Sequence, residues 1–117
     1  MKDKVKVIKS HHSEVLIPFQ AEKGEIVSGK ERPTQWEGWL YCKNKVGIYG
    51  WVPKTYVNPI KDSLEKYQFI RPYNSYEITI SKGELVKIKE IESGWAVIEN
   101  ESRKIGWIPL DNLDIDE

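Results

Sequence analysis

The side chains that could do chemistry fall into two groups: a few nucleophilic or metal-binding residues, and a larger set of Trp and Tyr. Cys42 is the only cysteine, so neither an intrachain disulfide nor a multi-cysteine metal site can form. Side chains alternate along a strand, so in Trp39-Leu40-Tyr41-Cys42 the thiol shares the inward face with Leu40, while Trp39 and Tyr41 point outward. Cys42 therefore reads as a small buried hydrophobe. A nucleophile would need an exposed site that lowers its pKa. The neighbours His11 and His12 would point to opposite faces of a strand and do not share a metal ion. There is no Ser-His-Asp or Cys-His spacing, no glycine-rich phosphate loop and no close acidic pair in a cleft. The expectation is a non-enzyme without metal or cofactor.

The aromatic set is larger and uneven, with five Trp and six Tyr against two Phe. Trp and Tyr suit surfaces that are partly apolar and partly wet, and serve both binding grooves and the mouths of small barrels. The charges balance, with 18 Lys plus Arg against 18 Asp plus Glu. That balance argues against general attraction to nucleic acid or an anionic membrane, which needs surplus cations. It leaves open a local patch, because composition does not place charges in space. The start Met1-Lys2-Asp3-Lys4-Val5-Lys6-Val7 lacks the apolar run of a signal peptide, and no run approaches the ~20 apolar residues of a membrane span. A cytoplasmic protein is the simplest reading.

These residues recur. Gly38-Trp39 returns as Gly94-Trp95, and Gly50-Trp51-Val52-Pro53 returns as Gly106-Trp107-Ile108-Pro109, both 56 residues on. Lys23-Gly24-Glu25 returns as Lys82-Gly83-Glu84, 59 residues on, so the first copy carries three extra residues within 28–37. Three landmarks in one order imply two homologous units. In the second, Glu77-Ile78-Thr79-Ile80 alternates polar and apolar before a turn at Gly83. Strand patterns follow over 84–89, 95–99 and 105–108, with a tight turn opened by Pro109. In the first, Phe19 and Ala21 stand where Ile78 and Ile80 do, and Leu40 and Cys42 match Ala96 and Ile98. Period-2 patterning with breakers at short intervals predicts small antiparallel barrels.

The order of a glycine after Lys, a Gly-Trp opening a strand, Gly-aromatic-β-branched-Pro and a closing Tyr56-Val57 resembles the Src-homology-3 domain. Trp36-Glu37-Gly38-Trp39-Leu40-Tyr41-Cys42 looks especially like the variant form found, often in tandem, in bacterial proteins. The resemblance covers about residues 7–57 and 68–113. It implies an all-β chain of two tandem five-stranded SH3-like barrels: a first barrel at 1–58, a short linker at 59–66 and a second barrel at 67–117. Ile60 and Leu64 are candidates for packing the units together, a floppy linker being the alternative.

The resemblance also implies an aromatic groove that holds a proline-rich or otherwise extended peptide. Such a ligand arrives already extended and loses little ordering entropy on binding. Carried over residue by residue, the groove of the first unit comprises Trp39, Pro53 and Tyr56, with Lys9 and His11 where two early tyrosines would be. That of the second comprises Tyr73, Trp95 and Pro109, with Arg71 and Asn112 replacing tyrosines. The acidic loop is sparse, offering Glu14 and Glu22 in one unit and Glu77 in the other. Trp51 and Trp107 read as barrel packing; Trp36 and Tyr49, without counterpart in the second copy, read as enlarging the first groove or as contacting the neighbouring unit. The expected function is non-enzymatic binding of a protein or peptide of unknown identity. A nucleic-acid binder that stacks bases on exposed aromatics and a homo-oligomeric assembly protein are the alternatives.

Overall fold

A computed structural model describes residues 4–13, 17–34 and 36–115. Among the described residues the chain is all-β apart from two single-turn 3-10 helices at Lys54–Tyr56 and Leu110–Asn112, and no helix there is long and apolar enough to cross a membrane. Its strands are β1 (Val5–Lys6), β2 (Gln20–Ala21), β3 (Ile26–Lys30), β4 (Trp39–Lys43), β5 (Tyr49–Pro53), β6 (Val57–Pro59), β7 (Lys66–Phe69), β8 (Tyr73–Asn74), β9 (Leu85–Glu92), β10 (Trp95–Glu99) and β11 (Ile105–Pro109). They form a five-stranded antiparallel sheet ordered β5-β4-β3-β7-β6, a two-stranded sheet β2-β8 and a four-stranded sheet β1-β9-β10-β11.

The chain divides into two compact units, but they do not follow the boundaries expected at 1–58 and 67–117. One unit gathers residues 1–15 and 76–117, and the other is the contiguous stretch 16–75. We call them the outer and the inserted unit. Each is closed by the first strand of the other copy of the repeat. In the inserted unit Val27 of β3 faces Tyr67 of β7, and in the outer unit the equivalent Val86 of β9 faces Val5 of β1.

Three pairs of backbone hydrogen bonds correspond between the units. The Gly24 amide donates to the Phe69 carbonyl and the Gly83 amide to Val7; the Ile70 amide donates to Tyr56 and the Ile8 amide to Asn112; the Lys54 amide donates to Gly38 and the Leu110 amide to Gly94. Residues 5–11 and 67–73 are thus the same element in two places.

Connectivity favours the pairing of β6 with β7, although the outer unit is then closed by strands about 80 residues apart, β1 and β9. β6 pairs with β7 through the loop 60–65, in the register Val57↔Phe69, Asn58↔Gln68 and Pro59↔Tyr67. A strand arriving six residues later closes a much shorter loop than one separated by half the chain, and loop-closure entropy rises with length. The predicted linker 59–66 is therefore a hairpin connection, and both of its ends lie in paired strands. Leu64, expected to help pack the units together, is 93% exposed.

Each unit has its own apolar core. In the outer unit Val7, Ile78, Ile80, Val86, Ala96 and Ile98 cluster with Ile108 and Leu113. In the inserted unit Phe19, Val27, Leu40, Cys42, Val52 and Phe69 are buried. The glycine of each Gly-Trp-Val/Ile-Pro run has a packing role. A Cβ at Gly50 would lie 2.6 Å from Phe19 Cβ, and one at Gly106 would lie 2.8 Å from Ile78 Cβ. Cys42 is 1% exposed, as its alternation with Leu40 predicts, and desolvation pushes its thiol up to about 12.

Candidate functional site

The strand exchange redistributes the residues expected to line two peptide grooves. Tyr73 joins the inserted unit, where β8 pairs with β2 in the register Ala21↔Tyr73. It stands with Trp39, Pro53 and Tyr56, so that unit holds four of the five aromatic and proline positions the resemblance implies. His11 joins the outer unit through its bridge to Ile80, beside Trp95 and Pro109. Both expected groupings are thus corrected, because the early residues of each copy are delivered to the opposite unit.

The fuller set is packed away. Trp39 is 8%, Tyr56 3% and Tyr73 6% exposed, and Pro53 is buried. Tyr73 stacks on Phe69 at 6.1 Å and meets Tyr56 edge-on at 5.2 Å. Its hydroxyl donates to the Trp51 carbonyl at 2.7 Å, which satisfies the phenol inside the unit. The Arg71 guanidinium lies 4.0 Å from the centre of the Tyr56 ring. The expectation that Trp39 points outward for docking is therefore overturned. Its strand face is outward by alternation, but the indole is covered.

The outer-unit set is more open. His11, Trp95 and Pro109 are all half-buried. Trp95 pairs directly across the ladder with Pro109, and the His11 ring meets the Trp95 ring edge-on at 6.0 Å. His11 Nε2 lies 2.9 Å from Glu77 Oε1, which fixes the imidazole beside the indole and brings a carboxylate to the same place. Asn112, where the resemblance would have a closing tyrosine, is buried. Its side-chain amide donates to the carbonyls of Lys9 and Ser10, at 2.9 and 3.2 Å. An amide in that place ties the N-terminal segment down instead of presenting a ring.

One cluster escaped the sequence reading. On the outward face of β4 and β5, Tyr41 stacks on Tyr49 at 5.6 Å and meets Trp51 at 5.1 Å. The Arg32 guanidinium lies 4.5 Å from the Tyr41 ring centre, and Lys43 Nζ 5.5 Å from that of Tyr49. Trp51 is expected to pack on the barrel, and Tyr49 to enlarge the first groove or contact the neighbouring unit; both instead flank Tyr41 on this face. The signal was the shared parity of Tyr41 and Lys43 with Tyr49 and Trp51, which pairing places side by side.

Residues 68–116 match the family model of the variant SH3 domain. The matched segment runs across both units, since 68–75 lies in the inserted unit and 76–116 in the outer one. No curated protein and no solved structure matches the chain. SH3-type domains are in general protein-interaction modules and typically non-catalytic.

Proposed function

We propose that this chain is a non-enzymatic module that binds an extended protein segment on the outer unit, at a surface centred on Trp95. The observation that carries the reading is the contrast in exposure. Of the two aromatic sets, the one containing Trp95, Pro109 and His11 is half-open, and the one containing Trp39, Tyr56 and Tyr73 is closed.

A flat indole flanked by a proline and an imidazole suits the rings of an extended, proline-containing peptide. The Glu77 carboxylate, 2.9 Å from His11, is placed to take a Lys or Arg on that peptide through a charge-assisted bond. The test is selection of a displayed random-peptide library on the full chain, followed by calorimetry of the winning peptides. A central aromatic anchor is commonly worth ~2 kcal/mol or more on truncation, so Trp95→Ala should weaken binding at least ~30-fold with an unchanged circular dichroism spectrum. Wild-type affinity in a folded Trp95→Ala variant would remove the proposal.

A further inference from the structure

The sheet of the inserted unit carries a second surface, unrelated to Trp95. Alternation and register place Tyr41 and Lys43 of β4 and Tyr49 and Trp51 of β5 on its outward face. Across β4 from these, Lys30 pairs with Tyr41 and Ser28 with Lys43. Ser28 also pairs with Lys66 of β7, whose ammonium donates to the Ser28 hydroxyl at 3.2 Å. The rows read Trp51–Tyr41–Lys30 and Tyr49–Lys43–Ser28–Lys66, and Arg32 leans on Tyr41 from beyond the end of β3. Lys30, Arg32, Lys43 and Lys66 are exposed, and Tyr49 is 56% exposed. The remaining described strand positions of this face, among them Ile26, Gln68 and Asn58, bring no carboxylate.

The outer unit supplies an internal control. At the equivalent positions of the repeat it has Val97 for Tyr41, Glu99 for Lys43 and Ile105 for Tyr49. Trp107, the equivalent of Trp51, is buried. The fold alone therefore does not require a ladder of aromatic rings among cations.

We propose that this face is a platform for single-stranded nucleic acid. Each nucleotide of a single strand offers a flat base and an anionic phosphate side by side. A row of rings bordered by Lys and Arg matches both, since stacking on aromatics tolerates any base and cations track the backbone. An acidic peptide would use the cations and leave the rings idle. The zero net charge of the chain does not oppose this, because no Asp or Glu occupies these strand positions, and Glu31, between Lys30 and Arg32, is paired with Lys54 at 3.2 Å.

The test uses the full chain and a fluorescein-labelled 20-nucleotide oligo(dT), followed by anisotropy between 25 and 200 mM NaCl. The wild type should bind with an affinity that falls with salt. Tyr49→Ala should weaken binding about tenfold, within the range for losing one stacked base. Lys43→Ala should flatten the logarithmic salt slope by about 0.7, the loss of one phosphate contact to a single strand. Lys82→Ala, an exposed lysine of the outer unit, should leave affinity and slope unchanged.

Because Tyr49 is at the surface, its variant keeps the fold, which circular dichroism checks. Absence of salt-sensitive binding at 25 mM NaCl would overturn the proposal. So would equal affinity for polyglutamate or heparin, or full affinity in Tyr49→Ala, each of which would make the face a plain cation patch.

Discussion

Truncating Phe69 tests the exchanged architecture directly, because the ring belongs to the second copy of the repeat and packs in the core of the first. Phe69 is 1% exposed, with Phe19 and Tyr73 each 6.1 Å away. Phe→Ala in a core costs ~3–5 kcal/mol, from lost transfer energy plus the cavity left behind. At ~0.05–0.15 kcal/mol per residue, a unit of about 60 residues has ~3–9 kcal/mol in all. The substitution therefore removes a large part of the stability of the inserted unit, and Phe69→Leu supplies a milder version.

Hydrogen exchange of the full chain, read by mass spectrometry, distinguishes the units. Phe69→Ala should lower protection at 26–30, 39–43 and 49–53, while 85–92, 95–99 and 105–109 keep theirs. Val7→Ala should do the reverse, since Val7 is buried in the outer core; two lost methyl groups and a cavity cost ~2 kcal/mol. If Phe69→Ala instead loosened 85–99 and spared 26–53, Phe69 would pack within its own copy and the exchange would be refuted.

Two further outcomes are expected. The folded protein holds the Cys42 proton up to about 12, whereas the ordinary value is 9.0. The unfolded chain therefore releases that proton first, and this contribution is whole below about pH 9 and lost as pH rises toward 12. Relative to Cys42→Ala, the wild type should lose ~1.4 kcal/mol between pH 8 and 10, read from urea midpoints, and parallel curves would contradict it. Asn112→Ala removes the donor shared by the Lys9 and Ser10 carbonyls. It should destabilise the outer unit by ~1–3 kcal/mol, measured by thermal melts, and leave exchange in the inserted unit unchanged.

Much of the candidate surface could be named from the sequence, yet its members were divided between the wrong neighbours. His11, Trp95, Pro109 and Glu77 all stood out, His11 being assigned to one groove and the other three to a second. Their meeting depends on β1 pairing with β9, a contact between residues about 80 positions apart that no local pattern encodes. The exposure of the indoles was equally hidden. Trp39 and Trp95 occupy the same place in the repeat, and one is covered while the other is half-open. The segments delivered to the two units differ, with Phe69, Arg71 and Tyr73 in the inserted unit where the outer unit has the smaller Val7, Lys9 and His11.

The amino-acid order by itself determined the all-β class, the two copies, the glycine turns and the inward positions: Phe19, Ala21, Leu40 and Cys42 in one copy, Ile78, Ile80, Ala96 and Ile98 in the other. These follow from local rules, since period-2 alternation and glycine geometry act within a few residues. Only the tertiary structure decided which first strand closes which unit. Residues 5–11 and 67–73 carry the same alternation and make equivalent hydrogen bonds, so local preference cannot choose between them. The short connection from β6 to β7 favours one of the two pairings for β6, and the arrangement adopted decides which early segment stands beside which aromatic rings.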